Sequence, residues 1–219
     1  MPVVIKFEVD NIDKLAREIA DYISQGKIVA IPTDTCYGLA ADATNVKSVR
    51  KVFNIKKRPK SKPISVFLCE KNDLEKYVEL SSLARKIAEL FPARITIVFR
   101  AKTSNIVSRY VIWKKTLGVR IPPFIFPRLI VKYLGTPITA TSANIHGLPP
   151  IYNSRDLLKL KGVDYIVDYG QLPKTKVSTV IDVSEERIKV LREGAISLTE
   201  LKRRLERLSL DDYELIIPK

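Results

Sequence analysis

The chain has 219 residues, 46% hydrophobic and 28% charged, enough to bury a large core without covalent staples. Two cysteines, Cys36 and Cys69, and one histidine, His146, exclude a disulfide framework, a four-cysteine metal site and His-rich zinc chemistry. The formal charge of +14 points either to a polyanionic partner or to a generally basic surface. Along the chain, Leu15, Ile19 and Ile23 fall on one face of a helix expected over 12–25, with Asn11 as its N-cap and Gly26 as its stop. Residues 28–31 read as a short buried strand closed by Pro32. A basic helix follows over 46–55 and ends ahead of Pro59. A strand over 64–68 precedes helices over 72–77 and 82–91. Strands over 95–99 and 118–121, a helix over 125–134 and a buried strand over 137–141 come next. The remainder reads as a short helix over 154–160, a strand over 165–168, a hairpin from 178–183 and 188–191, and an amphipathic helix over 198–208.

This alternation predicts an α/β fold with three layers, a twisted mixed β-sheet flanked by helices. No repeat, linker or composition break marks a second domain, so one domain is expected over 1–208, with a short extension over 209–219. The N-terminus shows no signal-peptide pattern and no apolar run reaches membrane-span length. A cytoplasmic protein without a membrane partner is the expectation.

The charge is unevenly placed. Residues 43–69 hold eight basic and no acidic residues, and residues 90–155 hold ten and none, so these windows carry +18 and the rest nets −4. If the fold joins the windows, they form one concave positive groove. Neither a G-x-x-x-x-G-K-S/T loop nor a G-x-G-x-x-G turn occurs. Phosphate binding would therefore rest on side chains and scattered amides.

Five segments carry polar chemistry at strand ends. Pro32-Thr33-Asp34-Thr35-Cys36-Tyr37-Gly38-Leu39 reads as a ligand loop or as an ordinary capped turn. Lys56-Lys57-Arg58-Pro59-Lys60-Ser61-Lys62-Pro63 reads as an anion site or as a solvated charged loop. Thr141-Ser142-Ala143-Asn144 can face one ligand or form an Asx-type turn. Arg120, in an apolar strand, needs a counter-ion from elsewhere in the chain or from a ligand. Ser178-Thr179 and Arg192 form the fifth cluster. His146 as general base and Cys36 as nucleophile compete with a turn histidine and a structural cysteine.

Taken in order, these segments resemble the YrdC-like family of threonylcarbamoyl-adenylate synthases. The resemblance rests on Pro32–Leu39, Lys56-x-Arg58-Pro59, Val119-Arg120-Ile121-Pro122, Ser142-Ala143-Asn144, Ser178-Thr179-Val180 and Leu191-Arg192-x-Gly194. The chain looks like the single-domain form. The resemblance implies a nucleotidyltransferase that makes threonylcarbamoyl-AMP and pyrophosphate from L-threonine, bicarbonate and ATP. The product would feed a downstream complex that modifies a tRNA adenosine. By the same resemblance, Lys56, Arg58, Ser142 and Asn144 form the basic-polar catalytic tetrad on the nucleotide. Lys62, Thr116, Pro150 and Arg192 are further ATP contacts, and Thr35, Arg120, Ala140 and Ser178 contact threonine. Magnesium is expected on the phosphates, with Asp34 as a candidate partner and no dedicated protein metal site. The alternatives are a non-catalytic module binding tRNA or double-stranded RNA, a paralogue with a changed substrate, and another carbamoyl-transfer or sugar-phosphate enzyme. The chain departs from the family pattern at Phe91-Pro92-Ala93-Arg94, Phe67, Thr141 and His146.

Overall fold

The computed structural model describes residues 1–103, 107–210, 213 and 215–217. Among them, in chain order, run β1 (Val3–Lys6), α1 (Ile12–Ser24), β2 (Val29–Ile31), β3 (Gly38–Ala40), α2 (Val46–Lys56), β4 (Ser65–Phe67), α3 (Leu74–Tyr77), β5 (Val78–Glu79), α4 (Ser82–Ala88) and β6 (Ile95–Ala101). There follow β7 (Ile112–Trp113), β8 (Thr116–Arg120), α5 (Ile125–Leu134), β9 (Ile138–Ala140), β10 (Tyr165–Asp168), β11 (Thr179–Asp182), β12 (Ile188–Arg192), α6 (Leu198–Glu206) and β13 (Leu215–Ile216). The helix expected over 154–160 is a 3-10 helix, Ser154–Lys159.

The strands form two mixed sheets. One runs β1-β10-β2-β3, and the other β13-β12-β11-β6-β8-β4-β9, with β5 on β6 and β7 on β8. The two meet along β3 and β9. Leu39 N donates to Thr141 O and Thr139 N to Ala41 O, both at 2.9 Å. The Thr139 side chain closes the seam: its hydroxyl donates to Leu39 O at 2.7 Å and accepts from Ala41 N at 3.1 Å. The predicted mixed sheet is thus present in two joined parts.

Strand pleating sends successive side chains to opposite faces. Ile28, Ala30, Leu39, Val66, Leu68 and Ile166 enter one core, shared with α2, α3, α4 and α6. Val29, Ile31, Ala40, Phe67, Ile138 and Val167 enter a second core, covered by α1 and α5. Helices therefore lie on both faces. Leu15, Ile19 and Ile23 are buried as their spacing predicts, each contributing about 1.5–3 kcal/mol by apolar burial.

Two helix ends matter for the site. Asn45 caps α2, its side chain accepting from Lys47 N and Ser48 N. At the other end Lys57 takes a left-handed conformation, with φ of 48°, which stops the helix and turns the chain into the Arg58 loop. A non-glycine residue there stores about 1–2 kcal/mol of strain. Asn11 corrects an expectation. It occupies the N-cap position of α1 but makes no side-chain cap bond, and its amide donates to Glu8 instead.

In the expected extension, Leu215–Ile216 pairs parallel with β12, and residues 211, 212, 214, 218 and 219 lie outside the described residues. Among the described residues no helix is long and apolar enough to cross a membrane.

Candidate active site

The face covered by α1 and α5 continues past β4, and there its side chains line a cleft of about 270 Å³. Phe67 of β4 pairs in register with Arg120 of β8, so both point to this face. Phe67 belongs to the closed core and also reaches the cleft wall. Arg120, Gly118 and Thr116 line the cleft, with Thr96 and Val98 of β6 and Val180 of β11. The intervening residues Leu117, Val119, Ile97 and Ile181 enter the large core. The alternation in Thr116-Leu117-Gly118-Val119-Arg120 thus records a strand buried on one face and open to a ligand on the other.

Arg120 is nearly buried. Its Nη2 donates to both carboxylate oxygens of Asp34 at 2.9 Å, and the Asp34 side chain is only 2% exposed. The guanidinium carbon stands 5.2 Å from the Phe67 ring centroid. Its Nε has no hydrogen-bond partner among the described residues. A buried donor left unpaired costs about 1–3 kcal/mol, a cost set against the doubly bonded Asp34 pair that fixes the guanidinium. The counter-ion sought for Arg120 is therefore Asp34. Asp34, expected as a candidate magnesium partner, is paired to Arg120 and does not line the cleft.

The segment after β2 forms the wall beside Arg120. Thr33 Oγ1 donates to Cys36 O at 2.7 Å and accepts from Thr35 N at 3.2 Å, which is a hydroxyl-closed turn. The Thr33 and Thr35 hydroxyls lie 3.2 Å apart and both residues line the cleft. Tyr37 faces away: its hydroxyl donates to Gly170 O at 2.9 Å and accepts from Tyr169 N at 3.0 Å. Burial pushes its pKa up to about 12, so it serves as an anchor. Burial also raises the Cys36 thiol pKa, which keeps it protonated and speaks against a nucleophile.

A bulge aims Arg192. Val180 pairs with Arg192 and Ile181 with Val190, leaving Leu191 as the extra residue, and both Leu191 and Arg192 line the cleft. Arg192 Nη2 donates to Ser178 O at 2.8 Å and to Ser178 Oγ at 3.2 Å, and Ser178 Oγ lies 2.8 Å from Thr96 Oγ1. Thr179 points the other way. Its hydroxyl accepts from Gly194 N and Ile196 N at 3.0 Å and donates to Ile196 O at 2.6 Å. Gly194 has no room for a side chain: a Cβ there would meet Val177 O at 2.1 Å and Ser178 O at 2.6 Å.

The expected tetrad divides. Arg58 and Ser142 line the cleft, whereas Lys56 and Asn144 lie behind the wall. The Lys56 ammonium donates to Ser142 O, to Asn144 O at 2.9 Å and to Asn144 Oδ1 at 3.1 Å, so all three hydrogens are used. Ser142 Oγ donates to Asn144 Oδ1, and Asn144 Nδ2 donates to the carbonyls of Ile145 and Leu148. Burial, then Arg58, lowers the Lys56 pKa to about 8. Lys56 and Asn144 thus position the Ser142 turn rather than facing the cavity. Thr35, Thr116, Arg120, Ala140, Ser178 and Arg192 all line it, while Lys62 and Pro150 do not. Lys62 Nζ instead meets His146 Nε2 at 3.2 Å beside Arg58.

The cationic lining is sparser than the acid-free windows suggest. Of their eighteen basic residues only Arg58 and Arg120 line the cleft, and Arg192 joins from outside them. The windows also cover outer helix faces, where Arg128 donates to Cys69 O and Lys51 to Gly26 O. Among the described residues Arg58, Lys62 and Arg192 form no ion pair. Burial and Arg192 lower the Arg58 pKa, and burial and Arg120 lower that of Arg192. Such a row of mutually repelling cations favours an anion. Thr33 and Thr141, from the segments singled out in the sequence, also line the cleft, as do Thr96 and Ser65, which were not singled out. The alternating pattern over 95–101 was the available signal for Thr96.

Among the described residues no three His, Cys, Asp or Glu side chains converge as an ion site. With Asp34 committed to Arg120, the side chains present do not supply a magnesium site, and no step is derived through one.

The chain matches the Sua5/YciO/YrdC family model, described as "Telomere recombination", over residues 21–194. It is 42% identical over 188 residues to a putative threonylcarbamoyl-AMP synthase of Methanocaldococcus jannaschii, covering 83% of this chain and 86% of that one. It is 31% identical over 192 residues to the threonylcarbamoyl-AMP synthase of Pyrococcus abyssi, covering 85% of this chain and spanning 56% of the relative. The crystal structure of P. abyssi Sua5 complexed with L-threonine superposes with a TM-score of 0.85 at 26% identity, over 98% of this chain and 62% of that one. Motif order, the cleft on the open half of the sheet face and the extent of these matches agree: the chain belongs to the Sua5/YciO/YrdC family.

Proposed function

We propose that this chain is a threonylcarbamoyl-AMP synthase, a nucleotidyltransferase that joins L-threonine, bicarbonate and ATP. One observation carries the reading. One cleft holds Arg58 and Arg192, which have no carboxylate partner among the described residues, beside a neutralised Arg120–Asp34 pair and hydroxyls from Thr35 and Ser178. The first group suits phosphates, and the second suits a small amino acid that offers both a carboxylate and a hydroxyl.

In the reaction the threonine amine attacks the bicarbonate carbon, and water leaves as the carbamate forms. A carbamate oxygen then attacks the α-phosphorus and pyrophosphate departs. Arg58 and Arg192 would stabilise the charge developing on the transferring phosphate. Arg120, fixed by Asp34 and Phe67, would hold the threonine carboxylate with the part of its guanidinium that lines the cleft, with Thr35, Ser178 and the Ala140 backbone around the rest of the molecule. Ser142 would meet the nucleotide from a turn that Lys56 and Asn144 keep rigid, with Thr116 and Pro150 as outer contacts. No protein nucleophile is needed, so catalysis rests on positioning and charge. Magnesium would arrive on the ATP phosphates as part of the substrate. A downstream complex would transfer the product to tRNA, and direct contact with tRNA or double-stranded RNA belongs to the same proposal, as do a cytoplasmic setting and a single domain over 1–208.

The test is pyrophosphate release from ATP, bicarbonate and L-threonine. We expect threonine-dependent release, lowered about 10²–10³-fold by Arg58→Ala and lowered also by Ser142→Ala. Folded protein that releases no pyrophosphate on adding threonine would rule the reading out.

A further inference from the structure

His146 is the only histidine in the chain, and the cleft-lining roles above leave it unused. Its backbone N donates to Lys56 O at 2.6 Å, which fixes the residue at the end of α2. Its ring stands 3.2 Å from Lys62 Nζ. An ammonium has no acceptor lone pair, so Nε2 accepts here, and the ring is neutral with its hydrogen on Nδ1. Arg58 ties this rim to the cleft: its Nε donates to Lys62 O at 2.7 Å and its Nη2 to Pro63 O at 2.9 Å. The charged groups that act on the ring are Lys62, Arg58 and Lys56, with no carboxylate among them. Desolvation and these cations lower the His146 pKa.

Arg58 lines the cleft and is bonded to Lys62, which in turn meets His146, so this pair stands on the rim beside a cleft cation. We propose that His146 is a proton-coupled ligand for the outer, leaving phosphates of the nucleotide. An entering phosphate draws the Lys62 ammonium away from Nε2. The ring then takes one proton from solvent and donates it as a hydrogen bond to a phosphate oxygen. Lys62 and His146⁺ together form a rim clamp that adds charge only when an anion is present. This assignment rests on the nucleotide reading of the cleft and extends it to a residue that lies outside the cavity wall.

Inorganic pyrophosphate is the probe. With one histidine, the imidazole Cε1–H gives a single proton resonance whose chemical shift reports the titration. Saturating pyrophosphate should raise the titration midpoint by about one pH unit, equivalent by linkage to about tenfold tighter binding by the protonated form. Pyrophosphate changes its own charge with pH, so His146→Asn is titrated in parallel. The excess pH dependence of binding, wild type over variant, should vanish in that variant. If pyrophosphate binds in a manner lost in Arg58→Ala yet leaves the midpoint unmoved or lowered, the His146 assignment falls and the nucleotide reading stands. If wild-type protein binds neither pyrophosphate nor ATP, both fall.

Discussion

One face of the joined sheets has two halves with opposite fates. Over β2, β3, β4, β9 and β10 it carries Val29, Ile31, Ala40, Phe67, Ile138 and Val167, sealed by α1 and α5. Over β8, β6 and β11 it carries Thr116, Gly118, Arg120, Thr96, Val98 and Val180, and these line the cleft. The backbone pleat is the same in both halves. What changes is whether a helix supplies apolar partners, and the side chains follow. Where helices cover both faces, strands read as continuous apolar runs. Where one face is left for a ligand, small, polar and charged residues enter among the apolar ones. The boundary runs through β3, β4 and β9, whose Gly38, Ser65, Phe67 and Ala140 also line the cleft, Phe67 being the paired neighbour of Arg120.

The sharpest way to break the comparison is to damage one half and measure the other. Phe126 of α5 is fully buried and meets the Phe7 ring edge-on at 5.0 Å. Phe126→Ala should lower unfolding stability by about 3–5 kcal/mol, read from urea titration. Pyrophosphate binding per folded molecule should hardly change. Arg58→Ala is the mirror case. It removes a cation repelled by Arg192, so stability should move by less than about 1 kcal/mol while pyrophosphate release collapses. If Phe126→Ala abolished ligand binding in folded protein, the two halves would not be separable.

The sequence made the closed half easier to read than the open one, and particular residues show why. The helices of the closed half carry their own periodicity, and α5 runs over the expected 125–134. β10 and the β11–β12 hairpin were likewise legible from apolar runs and turn residues. β7 was not. Its hairpin to β8 turns through Lys114 and Lys115 at φ of 47° and 64°, where a glycine or asparagine would have signalled the reversal. β3 was hidden for another reason: Gly38–Ala40 is three residues long and sits inside a segment rich in ligand-like side chains. Within the site, motif order identified Arg58, Arg120, Ser142, Ser178 and Arg192. It could not tell which polar residues face the cavity and which brace it. Lys56 and Asn144 look like ligands in one dimension because the brace and the contact alternate along one turn. Likewise, the partnership of Arg120 with Asp34 spans 86 positions, and no local pattern encodes it.

A smaller effect tests how tightly the open half depends on backbone fit. Gly194 lies against the carbonyls of Val177 and Ser178, and the Ser178 carbonyl holds Arg192. Gly194→Ala must push one of these backbones aside, at about 1–3 kcal/mol of stability. Because the displaced group orients Arg192, pyrophosphate affinity should fall as well, which no equivalent small substitution in the α1–α5 core should cause. Calorimetry with pyrophosphate, run beside urea unfolding, checks both. Unchanged affinity alongside reduced stability would mean that Arg192 finds its place without the Ser178 carbonyl.

The gentlest probe is pH, and it separates stability from activity by sign. Lys56 is buried beneath the Ser142 turn, and its pKa is lowered to about 8 by desolvation and Arg58. In the unfolded chain the same amine holds its proton to about pH 10.4. Between those values the unfolded state binds more protons than the folded one, so this group's contribution to stability rises with pH. Activity should move the other way. A neutral amine has two hydrogens for the three acceptors Lys56 now serves, and one buried acceptor is left unpaired, loosening the Ser142 wall. Lys56→Met removes the titration at similar length. From about pH 7 to 9.5, wild type should gain about 1–2 kcal/mol on that variant in urea unfolding. Over the same range wild-type pyrophosphate release should fall, with no matching step in the variant. If stability and release fell together in wild type, Lys56 would be holding the fold as a charged group rather than bracing the site against its own desolvation.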